Sequence, residues 1–196
     1  MKRVRLRLAG LAALCLLFPS CMSKQPLSDF SQAVVDEQLL GTWVLVDDKK
    51  DVNYFHIGRP PGNQAPKGFA QVVTVRFGDR QALSSADAVS FSAIIGDCRY
   101  LNLSLIADKG HRFDPMKPSP LGWLFLKYQI DGDRAMIWAA DPRFVKREVK
   151  AGKIGGTVNW GGATLTDSSE NLARWVAAND SKIFVEQTIL KRVVVK

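Results

Sequence analysis

Through most of this chain apolar and polar residues alternate with a period of two, the mark of strands buried on one face. The pattern predicts strands over Leu39–Asp47, Val52–Ile57, Gln71–Phe77, Ala88–Ile95, Arg99–Ile106, Trp123–Ile130 and Ala135–Ala139, with a closing strand over Ile183–Val193. Gly96-Asp97 and Asp131-Gly132-Asp133 supply tight turns between neighbours. Thr157–Trp160 and Ala163–Thr166 are shorter strand candidates. Two segments switch to a helical period. Asp141 is an N-cap followed by Pro142, opening a helix over Arg143–Ala151 that Gly152 stops. Ser168-Ser169-Glu170 opens the second, near 168–178, with Leu172, Trp175 and Val176 on one face. Gly58–Gly68, with three prolines and three glycines, and His111–Pro120 are irregular loops.

Strands that connect mainly to their sequence neighbours must bury one face and dispose of two edges. Closing the sheet on itself does both. The expected fold is therefore mainly β, an antiparallel up-and-down barrel with two short helices in the C-terminal half. The residues Leu39-Leu40-Gly41-Thr42-Trp43 resemble lipocalin-like proteins, in which Gly-x-Trp opens the first strand. That resemblance implies that Trp43 plugs the barrel base and that Arg192 stacks on it through a cation–π contact. A helix ahead of the last strand, not after it, is similar to the lipocalin-like lipoproteins of Gram-negative bacteria.

The N-terminus carries an address. Lys2, Arg3, Arg5 and Arg7 form a basic region, and Leu8 to Phe18 is an apolar or small-residue run of 11. A bilayer-spanning helix needs about 20 such residues, whereas a signal-peptide core needs about 7–15. Phe18-Pro19-Ser20-Cys21 resembles a bacterial lipoprotein processing site. It implies a signal peptide over 1–20, lipidation of Cys21, a tether over 21–37 and a single barrel domain over 38–196. Met22, in place of an Asp at that position, implies the outer membrane, with the protein anchored through its N-terminal lipid on the periplasmic face. The alternative is a secretory signal cut near Ser23, leaving a soluble periplasmic protein.

Charge and cysteine content narrow the chemistry. The 196 residues carry 27 Lys and Arg against 19 Asp and Glu, a formal +8. Four of those cations lie in the leader, so the remainder is near +4 and bears no nucleic-acid footprint. Outside the leader and Cys21 only Cys98 remains, so no internal disulfide forms within the domain. Cys98 sits on a predicted strand with no His, Cys or Lys close in sequence, and reads as a small buried hydrophobe.

No nucleophile elbow, P-loop, Rossmann fingerprint or zinc-binding helix is present. His56 and His111 lie 55 residues apart in no ligand spacing, so neither a metal nor a cofactor is expected. His111 with Asp114 is the one acid–base pairing at hand, and a solvated loop explains it; turn chemistry explains Asp131 and Asp133. Arg143, Lys146, Arg147 and Lys150 follow three- and four-residue steps, a candidate contact for anionic head groups, with an ordinary solvated face as the alternative. Trp43, Phe77, Phe91, Trp123, Phe125 and Trp138 read as core, or as the wall of an apolar cavity.

Two non-enzymatic functions follow. In the first, a lipid-anchored barrel binds a small apolar or amphipathic ligand, with the loops at 58–68 and 111–120 near its mouth. In the second, a filled barrel docks on an envelope protein partner.

Overall fold

The computed structural model describes residues 21–46, 52–60, 67–77, 83–106, 120, 122–158 and 162–194. Among these lie strands β1 (Met22–Ser23), β2 (Gly41–Val46), β3 (Val52–Gly58), β4 (Ala70–Phe77), β5 (Leu83–Ile95), β6 (Cys98–Leu105), β7 (Trp123–Asp131) and β8 (Arg134–Ala139). Then follow helix α1 (Pro142–Lys150), β9 (Gly156–Val158), β10 (Ala163–Leu165), helix α2 (Ser169–Ile183) and β11 (Gln187–Arg192).

Strands β2 to β8 each pair antiparallel with the next, and β11 pairs with both β8 and β2. This closes an eight-stranded antiparallel up-and-down barrel with no free edge between its members. The expected mainly β fold with two helices in the C-terminal half is what the structure shows. Side chains alternate across the barrel wall. Leu101 and Leu103 on β6, Leu124 and Leu126 on β7, and Ile137 on β8 join Trp43, Phe55 and Leu190 in one inner core.

The outer face of β5 to β7 is buried as well, under two separate layers. Tyr100 and Phe125 pack beneath α1 and α2, against Phe144, Leu172, Trp175 and Phe184. Val89, Phe91 and Trp123 pack against Phe69 and, from the N-terminal segment, Phe30 and Ala33. Burial on both faces is why Trp123-Leu124-Phe125-Leu126 is continuously apolar instead of alternating.

The segment 21–37, expected as a tether, is docked as a strap along this outer wall. Met22 pairs with Leu124 on one side and Thr164 on the other. Leu27 N–H donates to Asn102 Oδ1 at 2.8 Å, and Ser92 N–H donates to Val34 O at 2.8 Å. Without the strap Phe91 and Trp123 would face water, at a cost of about 25 cal/mol for each Å² of apolar surface left uncovered. Gly122 allows the close passage, with φ +87° and a position where a Cβ would lie 2.2 Å from Ser23 O. Two short 3-10 turns, Phe30–Gln32 and Glu37–Leu39, capped by Asp29 and Asp36, carry the strap towards β2.

Helix α1 starts where its cap predicts, with Asp141 Oδ1 accepting from Arg143 N–H at 2.9 Å. Helix α2 outruns its expected end at 178. Asp180 in its last turns accepts from Tyr100 Oη at 2.6 Å and Lys127 Nζ at 2.5 Å, and Ile183 is fully buried. The closing strand is correspondingly shorter than Ile183–Val193 and begins at Gln187.

Candidate functional site

The barrel has one closed end. Trp43 on β2 points inward with no exposed surface, and its Nε1–H donates to Leu39 O at 2.8 Å. Arg192 is its register partner on β11, and the guanidinium lies 4.1 Å from the indole centroid. That guanidinium also donates to Leu40 O at 2.6 Å and Gln38 O at 2.5 Å. Gly41 makes room for it: φ is +124°, and a Cβ there would stand 2.8 Å from Arg192 Nη1. The structure thus brings Trp43 and Arg192 together and gives the glycine of Gly-x-Trp a physical reason.

A second closure lies beside it. Tyr128, facing the interior, has its hydroxyl 2.9 Å from Asp36 Oδ2 and 3.0 Å from Ser92 Oγ. A carboxylate only accepts, so the tyrosine donates to Asp36 and its oxygen accepts a hydrogen bond from the Ser92 hydroxyl. Burial first, and then the Asp36 charge, hold the Tyr128 hydroxyl well above the usual tyrosine range. Asp36 also accepts from Arg99 Nη1 at 2.9 Å and caps Gln38 N–H at 3.0 Å.

Between these closures and the far end the interior is not filled. A partly open cavity is lined by Leu39, Trp43, Phe55, Ile57, Val72, Leu101, Leu103, Leu124, Leu126, Ala135, Ile137 and Leu190, all apolar. It offers the centre of a water-sized sphere about 50 Å³. One water needs about 10–15 Å³ on that measure, and a cavity without polar partners does not hold water well. Of the six aromatic residues considered as a cavity wall, Trp43 alone lines it. Phe91, Trp123 and Phe125 are buried outside the barrel, Trp138 is half-buried there, and Phe77 is 47 % exposed.

The strand ends that flank the two irregular loops lie at opposite ends of the barrel. Gly58 and Gln71 flank the β3–β4 connection at the end where Gly41 pairs with Ile57, the plugged end. Leu105 and Trp123 flank the β6–β7 connection at the opposite end. In an up-and-down barrel successive connections alternate between ends, so connections separated by an odd number of strands cannot meet. His111 and Asp114 lie outside the described residues.

Cys21 has no exposed surface and packs in the outer core with Phe144, Val145 and Leu165. Burial pushes its thiol up to about 11, against a lowering hydrogen bond from the Ala163 backbone. A diacylglyceryl group does not fit on a sulfur seated there, so attachment requires Cys21 to stand off from this pocket. Next to it, α1 exposes Arg143, Arg147 and Lys150, while Lys146 is half-buried. Arg147 lies over the Phe144 ring at 4.8 Å, and buried Glu148 faces Arg147 and Lys153 at 3.6 and 3.5 Å.

Cys98 is half-buried and not isolated, as its sequence neighbours implied. The fold sets it within hydrogen-bonding reach of Lys127 and Tyr100. Lys127 is opposed in its charge by burial, which the Asp180 carboxylate outweighs, raising its pKa. Burial and then Asp180 hold the Tyr100 hydroxyl well above its usual range. This cluster fastens α2 to the barrel wall; sequence reasoning missed it because its members are 53 and 80 residues from Asp180. Among the described residues no group of three His, Cys, Asp or Glu side chains converges as a metal site.

Fold and interior together define an eight-stranded antiparallel barrel, plugged at one end, with an apolar cavity inside. Compared with protein-family models, with curated proteins and with solved structures, the chain finds no match.

Proposed function

We propose that this protein is an exported, lipid-anchored lipocalin-like barrel of the bacterial envelope that binds a small apolar or amphipathic molecule. The observation that carries the reading is the wholly apolar cavity above Trp43. A domain of this size can fill an eight-stranded barrel with its own side chains, and this one leaves part of it vacant. The plug and the Asp36–Tyr128 closure block entry past Trp43. The anchor is carried by the signal-peptide pattern ahead of Cys21 and by the exposed cations of α1 close to that residue.

Mass spectrometry of the protein taken from its own membranes tests both parts. Under denaturing conditions the expected mass is that of residues 21–196 plus glyceryl and acyl groups, and Cys21→Ser loses them. Under native conditions an additional dissociable amphiphile is expected. A chain beginning after Cys21 without modification would remove the anchor from the account.

A further inference from the structure

Asn53 breaks the apolar character of the barrel interior. It stands on β3 two residues before Phe55 and four before Ile57, so strand alternation turns it inward with both. It is 2 % exposed, yet among the described residues neither its Nδ2 nor its Oδ1 has a hydrogen-bond partner. Buried amides in folded proteins are almost always paired, and an orphaned one calls for an explanation. Its height in the barrel supplies one. Asn53 pairs with Leu45 and Arg76, one residue short of the Val46–Val52–Phe77 layer that lies farthest from the Gly41–Ile57 end, and above the cavity wall formed by Phe55.

We propose that Asn53 is the head-group site of the barrel. This rests on the ligand-binding reading above and names the ligand class: a single-chain amphiphile whose tail fills the cavity toward Trp43. Its small head both donates to Oδ1 and accepts from Nδ2, as a carboxamide, a hydroxyl or a protonated carboxyl group does. A phosphodiester only accepts and would leave Oδ1 unpaired. A quaternary ammonium does neither and would leave both atoms orphaned.

The test is displacement of cis-parinaric acid from the purified full chain by dodecanamide and by methyl dodecyl ether. These share a tail, but the amide donates and accepts while the ether only accepts. The wild-type protein is expected to bind the amide at least tenfold more tightly. Asn53→Leu is expected to lose that preference, to keep its affinity for the ether and to unfold at a higher temperature, since an unpaired amide is replaced by an apolar side chain. Equal binding of the two by wild type, or a preference that survives in Asn53→Leu, overturns the head-group assignment and leaves the barrel reading standing. A buried water satisfying Asn53 would give that same result. Failure of all three molecules to bind wild type overturns the barrel reading and the assignment with it. The wild-type comparison decides even where the variant does not fold.

Discussion

Trp43→Ala is expected to lower the unfolding free energy by about 3–5 kcal/mol, the range for removing a large aromatic from a core. The indole has no exposed surface, anchors Leu39 O through its Nε1–H and carries the Arg192 guanidinium on its face. Truncation therefore leaves a void at the barrel base and strips the stacking partner from a cation. Arg192→Met separates the parts. It keeps the stem that covers the ring and loses the cation–π contact, worth about 0.5–2 kcal/mol, together with donors to Leu40 O and Gln38 O. Its expected loss is smaller, about 1–3 kcal/mol. Urea unfolding with an unchanged slope reads both. A Trp43→Ala loss below about 1 kcal/mol would mean that the base is closed by something other than this pair.

Replacing Arg143, Arg147 and Lys150 together by Ser is expected to weaken binding to phosphatidylglycerol vesicles about a hundredfold at low salt. Each cation near an anionic surface contributes about 1 kcal/mol, and about 1.4 kcal/mol is a factor of ten. The three are the exposed members of the stripe. Lys146 is half-buried, so it is left in place. Protein without acyl groups is the sample of choice, because a lipid anchor would mask the difference. The effect should fade with salt and be absent on phosphatidylcholine vesicles. Equal partition of both proteins on anionic vesicles would make the stripe an ordinary solvated face.

Much of the barrel was legible because its signal is local. Strand-like runs of apolar, β-branched and aromatic residues mark β2 to β8, and the Gly96-Asp97 and Asp131-Gly132-Asp133 turns join neighbours as a meander. The cap at Asp141 placed α1 to within a residue. What escaped depends on contacts distant in sequence. Nothing in Met22-Ser23 announces a strand, since it exists only through pairing with Leu124 and Thr164. The polar look of 22–37 concealed a strap whose few apolar residues, Leu27 and Phe30, are the ones that dock. Trp43, Phe91, Trp123 and Phe125 are core as expected, but which of them face the inside of the barrel is not written in the sequence. Alternation says that Trp123 and Leu124 face opposite ways, but not that both faces are covered.

The site was legible in outline only. Trp43 and Arg192 entered through a five-residue resemblance, and the geometry explains why Gly41 accompanies them. The cavity itself has no sequence signature, because a filled and a hollow barrel share one hydrophobic pattern. Asn53 is one polar residue at a strand start, indistinguishable by sequence from a hairpin asparagine. Its meaning comes from burial without a partner.

The most direct measurement is titration of cis-parinaric acid into the purified protein, with wild type beside Ala135→Phe. Ala135 lies in the cavity wall, 1 % exposed, between Ile130 and Leu190 in register, so a phenyl ring there occupies the ligand's space. The account predicts saturable one-to-one binding by wild type and its loss in an Ala135→Phe protein that still folds, since the ring enters existing room instead of a packed core. Undiminished binding by Ala135→Phe, or no saturable binding by folded wild type, would contradict a ligand inside the barrel.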